Sequence, residues 1–284
     1  MGLVYYETGW ESSDGIAIHA RGWEPEGVTP EAVVCLVHGI GEHGARYGKV
    51  AEAFCKANMA FWAPDMRGHG LSGGKRGHLP SAESILSDIS QYLDQAGQRY
   101  PGIPLILYGH SLGGILALYY GLKKGTGLKG VISASPGLRN SLENQPLKVA
   151  AAKILGFIFP SLAISSGLDG NAISRDRQEV SNYEADPLVH DKMTLGFGKV
   201  MLGVNRFVLE NSGTLGLPLL LLHGKKDTIA FPEGSDAVAS SLGNRCKLVM
   251  WEEALHELHN EPEKEEVFQT MTNWVQSLLR QPAL

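Results

Sequence analysis

The chain has 284 residues, 43% of them hydrophobic, and a formal net charge of −5, which suits one large α/β domain or a domain carrying an insertion. No basic stripe points to nucleic acid, and no apolar stretch is long enough to cross a bilayer. The start lacks the charged, then apolar, pattern of a signal peptide, and Tyr6 stands where a myristoylation signal needs Ser or Thr, so the expected location is the cytoplasm.

Strand-like apolar runs begin at Ile16–Ala20 and Ala32–Val37. Ala45–Ala57 then reads as a helix, Met59–Pro64 as a strand, and Ser81–Arg99 as a helix with Ile85, Ile89, Tyr92 and Leu93 on one face. A strand over 104–108, a helix over 112–123 and a strand Leu128–Ser133 follow. After a gap come strands Leu217–Leu222 and Cys246–Trp251 and a closing helix Glu263–Leu279. Asn260 is its expected cap, and the Glu261–Glu266 acids suit its first turn. Strands alternating with helices predict a mostly parallel sheet covered on both faces. The gap, 137–210, shows no strand alternation and is too long for a plain loop. It is expected to be a helical cap over the sheet edge where ligands bind, inserted between core segments 1–136 and 211–284. Within it Leu147, Ala151, Ile154, Leu155, Ile158 and Leu162 recur at helical spacing, flanked by Lys148 and Lys153. Two readings stand for this stripe: buried core beneath the cap, or the lining of an acyl tunnel that also rests on a lipid surface. The three cysteines, Cys35, Cys55 and Cys246, are odd in number and lack metal-ligand spacing. Cys35 and Cys246 lie in apolar runs and are expected to be small core residues.

Chemistry concentrates at Gly109-His110-Ser111-Leu112-Gly113. The pattern G-x-S-x-G is weak in a chain with 35 glycines, but here it joins a strand to a helix, which is the setting of a nucleophile elbow. Such a turn is too tight for side chains at the glycine positions. It would hold Ser111 at a helix start, where negative charge is favoured. A nucleophilic serine needs a base, and the base an orienting acid. In elbow enzymes both come later, the acid first. After Ser111 the histidines are His190, His223, His256 and His259. Asp227 follows strand 217–222 and is the expected acid, a plain turn aspartate being the alternative. His256 then follows strand 246–251 by a short loop and is the expected base. His259, against the closing helix, is expected to be structural or solvated. The oxyanion would be held by the N–H of Leu112 and by that of Ile40, in the loop His38-Gly39-Ile40-Gly41-Glu42-His43. That loop also matches G-x-G-x-x-G over 39–44, with Asp65 about 20 residues on, the fingerprint of a dinucleotide site. An NAD-dependent oxidoreductase would leave Ser111, Asp227 and His256 unexplained.

These residues, with Asp65-Met66-Arg67-Gly68-His69-Gly70-Leu71-Ser72-Gly73, Gly74-Lys75-Arg76-Gly77-His78, Asp186-Pro187-Leu188-Val189 and His256-Glu257-Leu258-His259-Asn260-Glu261, resemble those of the monoacylglycerol lipase and lysophospholipase-like serine α/β-hydrolases, in the same order. The resemblance implies an α/β-hydrolase fold with a helical lid at about 137–210. It implies a triad of Ser111, Asp227 and His256, an oxyanion hole of Ile40 and Leu112, and neither cofactor nor metal. The expected activity is hydrolysis of a monoacyl lipid ester through an acyl-enzyme, with transient membrane or micelle contact through the cap. A short-chain carboxylesterase, thioesterase or peptidase on the same fold is the nearest rival, and a non-catalytic binding protein a more distant one.

Overall fold

A computed structural model of the protein describes residues 2–141, 150 and 154–281. Its eight-stranded sheet runs in the order β1 (Leu3–Glu11), β2 (Ala17–Pro25), β4 (Ala60–Pro64), β3 (Val33–Val37), β5 (Leu105–His110), β6 (Leu128–Ala134), β9 (Leu219–Gly224), β10 (Cys246–Trp251). From β4 onward the neighbours are parallel; β2 is antiparallel to both β1 and β4. Central strands are buried on both faces, which is why they read as unbroken apolar runs. In β3, Val33, Cys35 and Val37 face one core layer, and Val34 and Leu36 face the other. The first layer is closed by α2 (Ala82–Arg99) and α3 (Leu112–Lys124), and the second by α1 (Gly48–Lys56) and the closing helix Lys264–Leu279.

Several expectations need correction. Strand β1 and the second half of β2 are not visible in the sequence pattern, because β1 is an edge strand largely exposed on both faces and carries no apolar alternation. The closing helix starts at Lys264 with Glu263 at its cap position. Asn260 sits earlier, in a 3₁₀ turn, and donates to Glu257 Oε2 at 2.7 Å instead of capping the helix. Cys35 is buried as expected, but Cys246 is only half-buried, since β10 is the other sheet edge. Segment 137–210 carries helices α4 (Arg177–Ala185) and α5 (Leu195–Asn211), but also a two-stranded ribbon, β7 (Ala163–Ser165) with β8 (Lys192–Thr194), too short to show a period. Helix α6 (Glu233–Leu242) is likewise hidden in the sequence, EGSDAVASSL being poor in large apolar residues.

Candidate active site

The loops that follow β3, β5, β9 and β10 leave the same carboxyl edge of the sheet. Ser111 has φ 54° and ψ −116°, a conformation a non-glycine residue holds only when its surroundings enforce it. The enforcement is steric and local. A Cβ on Gly109 would collide with the Gly113 carbonyl, and one on Gly113 with the Val37 carbonyl, so α3 can pack this close to β3 and β5 only with glycine at both positions. Ser111 N–H donates to Ala134 O at 2.9 Å, which ties the elbow to β6.

His256 Nε2 lies 2.9 Å from Ser111 Oγ, and His256 Nδ1 lies 2.7 Å from Asp227 Oδ2. The carboxylate can only accept, so Nδ1 carries the proton and Nε2 is left to accept from the Ser111 hydroxyl. Asp227 is held in turn. Its Oδ1 accepts from the Ile229 and Ala230 N–H groups at 2.8 and 2.9 Å, and His223 Nε2 stands 3.2 Å from Oδ2. Burial alone would raise the Asp227 carboxyl, but His256 and His223 outweigh it and hold it well below the ordinary carboxylate range. Burial would lower the His256 imidazole, and the charge and hydrogen bond of Asp227 raise it instead.

The loop after β3 is fixed by its own side chains. His38 Nδ1 donates to the Gly39 carbonyl at 2.8 Å while its Nε2 accepts the Met66 N–H at 2.9 Å. Because C=O and N–H point in opposite directions across a trans peptide, fixing the Gly39 carbonyl also fixes the direction of the Ile40 N–H. That N–H has no acceptor among the described residues. Leu112, as the first residue of α3, likewise has an N–H with no helical partner.

The G-x-G-x-x-G match within this loop has another physical cause. Glu42 Oε1 accepts the Gly39 N–H at 2.5 Å, so a buried carboxylate already stands where a pyrophosphate would need to be. Asp65, the expected ribose acid of that reading, is fully buried. It accepts from Arg21 Nη1 at 2.7 Å, Gly44 N–H at 2.8 Å and Leu71 N–H at 2.9 Å, with no room for a hydroxyl.

Beneath the serine and histidine lies a polar cluster that sequence reasoning missed. Arg46 Nη1 and Nη2 donate to both Glu257 oxygens at 2.8 and 2.7 Å, and Nη1 also to Glu42 Oε2 at 2.5 Å. Tyr47 donates to Glu42 Oε1 at 2.7 Å. Burial opposes ionisation of both glutamates, but Arg46 between them keeps them charged. The His110 ring lies 4.9 Å from that of His256 and 5.0 Å from that of His259, and burial with these two neighbours pushes it down to about 3, so it stays neutral. His259 is buried and stacks on Tyr47 at 4.6 Å; neither ring nitrogen has a partner among the described residues. The only hint of the cluster in the sequence is the i,i+4 spacing of Glu42 and Arg46; Glu257 joins them from 211 residues away.

The two readings of the apolar stripe are separated by its exposure. Ile154, Leu155, Ile158 and Leu162 are all exposed, Ile158 at 56% and Leu162 at 53%, and Phe157 beside them at 77%. These four are therefore not buried core. Leu147, Lys148, Ala151 and Lys153 lie outside the described residues.

Comparison with known proteins places this geometry in a family. A family model described as serine aminopeptidase, S33, matches residues 28–263. The monoacylglycerol lipase of Mycolicibacterium smegmatis is 34% identical over 93% of this chain and 95% of its own length. An uncharacterized abhydrolase domain-containing protein of Dictyostelium discoideum is 38% identical over 93% of this chain, which spans only 28% of that protein. The crystal structure of Paleococcus ferrophilus monoacylglycerol lipase superposes with a TM-score of 0.81 and 32% identity, covering 98% of this chain and 100% of that one. The chain is a serine hydrolase and belongs to the monoacylglycerol lipase-like family of α/β-hydrolases.

Proposed function

We propose that the chain hydrolyses monoacylglycerols or similar monoacyl lipid esters, with Ser111 as nucleophile, His256 as base, Asp227 as orienting acid, and the Ile40 and Leu112 N–H groups as the oxyanion hole. The observation that carries this reading is the continuous path from Asp227 through His256 to Ser111, with spacings of 2.7 and 2.9 Å. His256 takes the Ser111 proton as Oγ attacks the ester carbonyl, and the two amides stabilise the oxygen that becomes negative. His256 then returns the proton to the departing glycerol oxygen, leaving an acyl-enzyme. Water, deprotonated by His256, attacks that acyl group, and the collapse releases the fatty acid and restores Ser111. Asp227 holds the imidazole tautomer and balances the imidazolium charge in both halves.

Two observations support a lipid rather than an acetate as the acyl donor. Relatives that match along nearly their whole length carry the name monoacylglycerol lipase. Ile154, Phe157, Ile158, Phe159, Leu162 and Ile164 also form an exposed apolar group within 137–210, the kind of patch that marks an interaction surface. In our reading 137–210 is a cap inserted into a core of 1–136 and 211–284, and this group rests transiently on a membrane or micelle from the cytoplasmic side. Among the described residues no helix is long and apolar enough to cross a membrane. A panel of acyl chain lengths and head groups, with Ser111→Ala as control, tests the reading. The expected result is a kcat/KM that rises from acetyl to medium or long chains on glycerol. A wild type that prefers acetate, with activity falling steadily as the chain lengthens, would replace it with a short-chain esterase.

A further inference from the structure

The loop that carries Ile40 is held from two sides. From the core, His38 pins the Gly39 carbonyl and Glu42 the Gly39 N–H. The other side belongs to Asp186–His190, a segment that follows α4 and lies between the two strands of the ribbon. His190 N–H donates to the Gly41 carbonyl at 2.8 Å, so the peptide planes before and after the Ile40–Gly41 unit are both fixed. The approach is close: Gly41 has φ 75°, and a Cβ there would collide with the His190 carbonyl. Two residues on, His43 Nε2 lies 2.9 Å from Asp186 Oδ2. The carboxylate accepts, so Nε2 donates, and His43 Nδ1 is buried with no partner among the described residues. The segment is itself braced by local hydrogen bonds. Asp186 Oδ1 accepts the Leu188 N–H at 2.9 Å, and the Val189 N–H donates to the Asp186 carbonyl at 3.1 Å. At its far end His190 Nε2 donates to the Gly68 carbonyl at 3.1 Å, and the His190 ring packs 4.9 Å from that of His69.

We infer that Asp186 and His190 are positioning residues for the oxyanion hole: through His43 and the Gly41 carbonyl they hold the Ile40 N–H in its working direction. The inference rests on the assignment of Ile40 N–H as an oxyanion donor. It gives the segment between α4 and α5 a part in the chemical step as well as in covering the site. A donor that is loosened rather than removed weakens transition-state binding while leaving ground-state binding of the acyl chain intact.

Asp186→Asn is the sharp test. The amide keeps an oxygen to accept the Leu188 N–H, so the turn survives, but its NH₂ cannot accept from His43 Nε2. The pair can re-form only by moving the imidazole proton to Nδ1, where it would be buried with no acceptor among the described residues. Removal of one whole donor costs roughly 100- to 1,000-fold in kcat, and loosening one should cost about tenfold. We expect kcat on a soluble monoacyl ester to fall about tenfold with KM within about twofold. A trifluoromethyl ketone, whose hemiketal oxygen occupies the same hole, should bind about tenfold more weakly. Rates are normalised to active sites titrated with a fluorophosphonate, so a merely structural loss would appear in the titre and in Tm, not in kcat per site. An unchanged kcat, a loss confined to KM, or a loss that vanishes on normalisation would overturn the inference. Ile40→Pro removes the N–H itself and separates the two claims. If a folded, titratable Ile40→Pro variant keeps wild-type kcat, the assignment of Ile40 is wrong and the inference falls with it. If Ile40→Pro is impaired and Asp186→Asn is not, only the role of Asp186 and His190 fails. Should Ile40→Pro not fold, the paired kcat and inhibitor measurements on Asp186→Asn, together with His43→Gln, still decide the matter.

Discussion

In the proposed mechanism a protonated His256 cannot take a proton from Ser111, so the pH dependence of kcat/KM should report the state of His256. Asp227 raises this imidazole above the ordinary histidine value, which is about 6.5. A raised value means that the neutral form disappears sooner on acidification. The acidic limb of kcat/KM should therefore have an apparent pKa above about 6.5. In Asp227→Asn the limb should move to lower pH, because the largest influence opposing burial is gone and only the weaker pull of Glu257 and Glu42 remains, while kcat falls by up to about 10,000-fold. A pH–rate profile of both proteins checks the direction. Ser111→Ala should lose at least about 1,000-fold in kcat and all fluorophosphonate labelling while keeping its Tm. His259→Ala should behave differently from His256→Ala. His259 touches Tyr47 and His110 rather than Ser111, so its removal leaves a cavity and should lower Tm more than kcat. A dead but fully stable His259→Ala would reverse the two assignments.

Between elements, the Glu42–Arg46–Glu257 cluster ties the loop before α1 to the loop after β10. Arg46→Ala would leave two buried carboxylates without a cation, a change that costs about 3–5 kcal/mol. In the wild type both glutamates are held below their ordinary range. Their contribution is fully present above the unfolded value of about 4.3, and it is lost as pH falls through the depressed folded values. In the variant, burial would push them up and let them bind protons. Its deficit against wild type in urea unfolding should thus shrink from pH 7 to pH 5. The cluster also marks the limit of what is legible in the sequence. The parallel strands can be read because burial on both faces leaves unbroken apolar runs, and the elbow because steric limits at Gly109 and Gly113 impose a local pattern. The meeting of Asp227 and His256 beside Ser111 can be anticipated because each follows a strand in a fixed order. Edge strand β1 cannot, since it buries no full face. The alliance of Arg46 with Glu257 cannot either, because it exists only once distant loops meet at one end of the sheet.

For the molecule as a whole, the apolar group on 154–164 is where shape and substrate should meet. Ile158 and Leu162 are 56% and 53% exposed, so replacing either with Asp removes little core packing. Exposed sites of this kind change stability by about 0.5 kcal/mol or less. A carboxylate there would oppose contact with a lipid surface and with any acyl chain that threads past it. Each further methylene that leaves water can contribute up to about 0.8 kcal/mol, so two can raise kcat/KM by up to about 15-fold until the acyl site is full. Ile158→Asp and Leu162→Asp should flatten that rise. Activity on long-chain monoacylglycerol in micelles should fall at least about tenfold, while turnover of a soluble acetate ester stays within about twofold. Co-sedimentation with phosphatidylcholine vesicles should weaken in parallel, and Tm should move by no more than about 2 °C. Full long-chain activity in both variants would remove this surface from the proposed function and leave chain preference to residues nearer Ser111. A large drop in Tm would instead mean that these side chains are packed in solution.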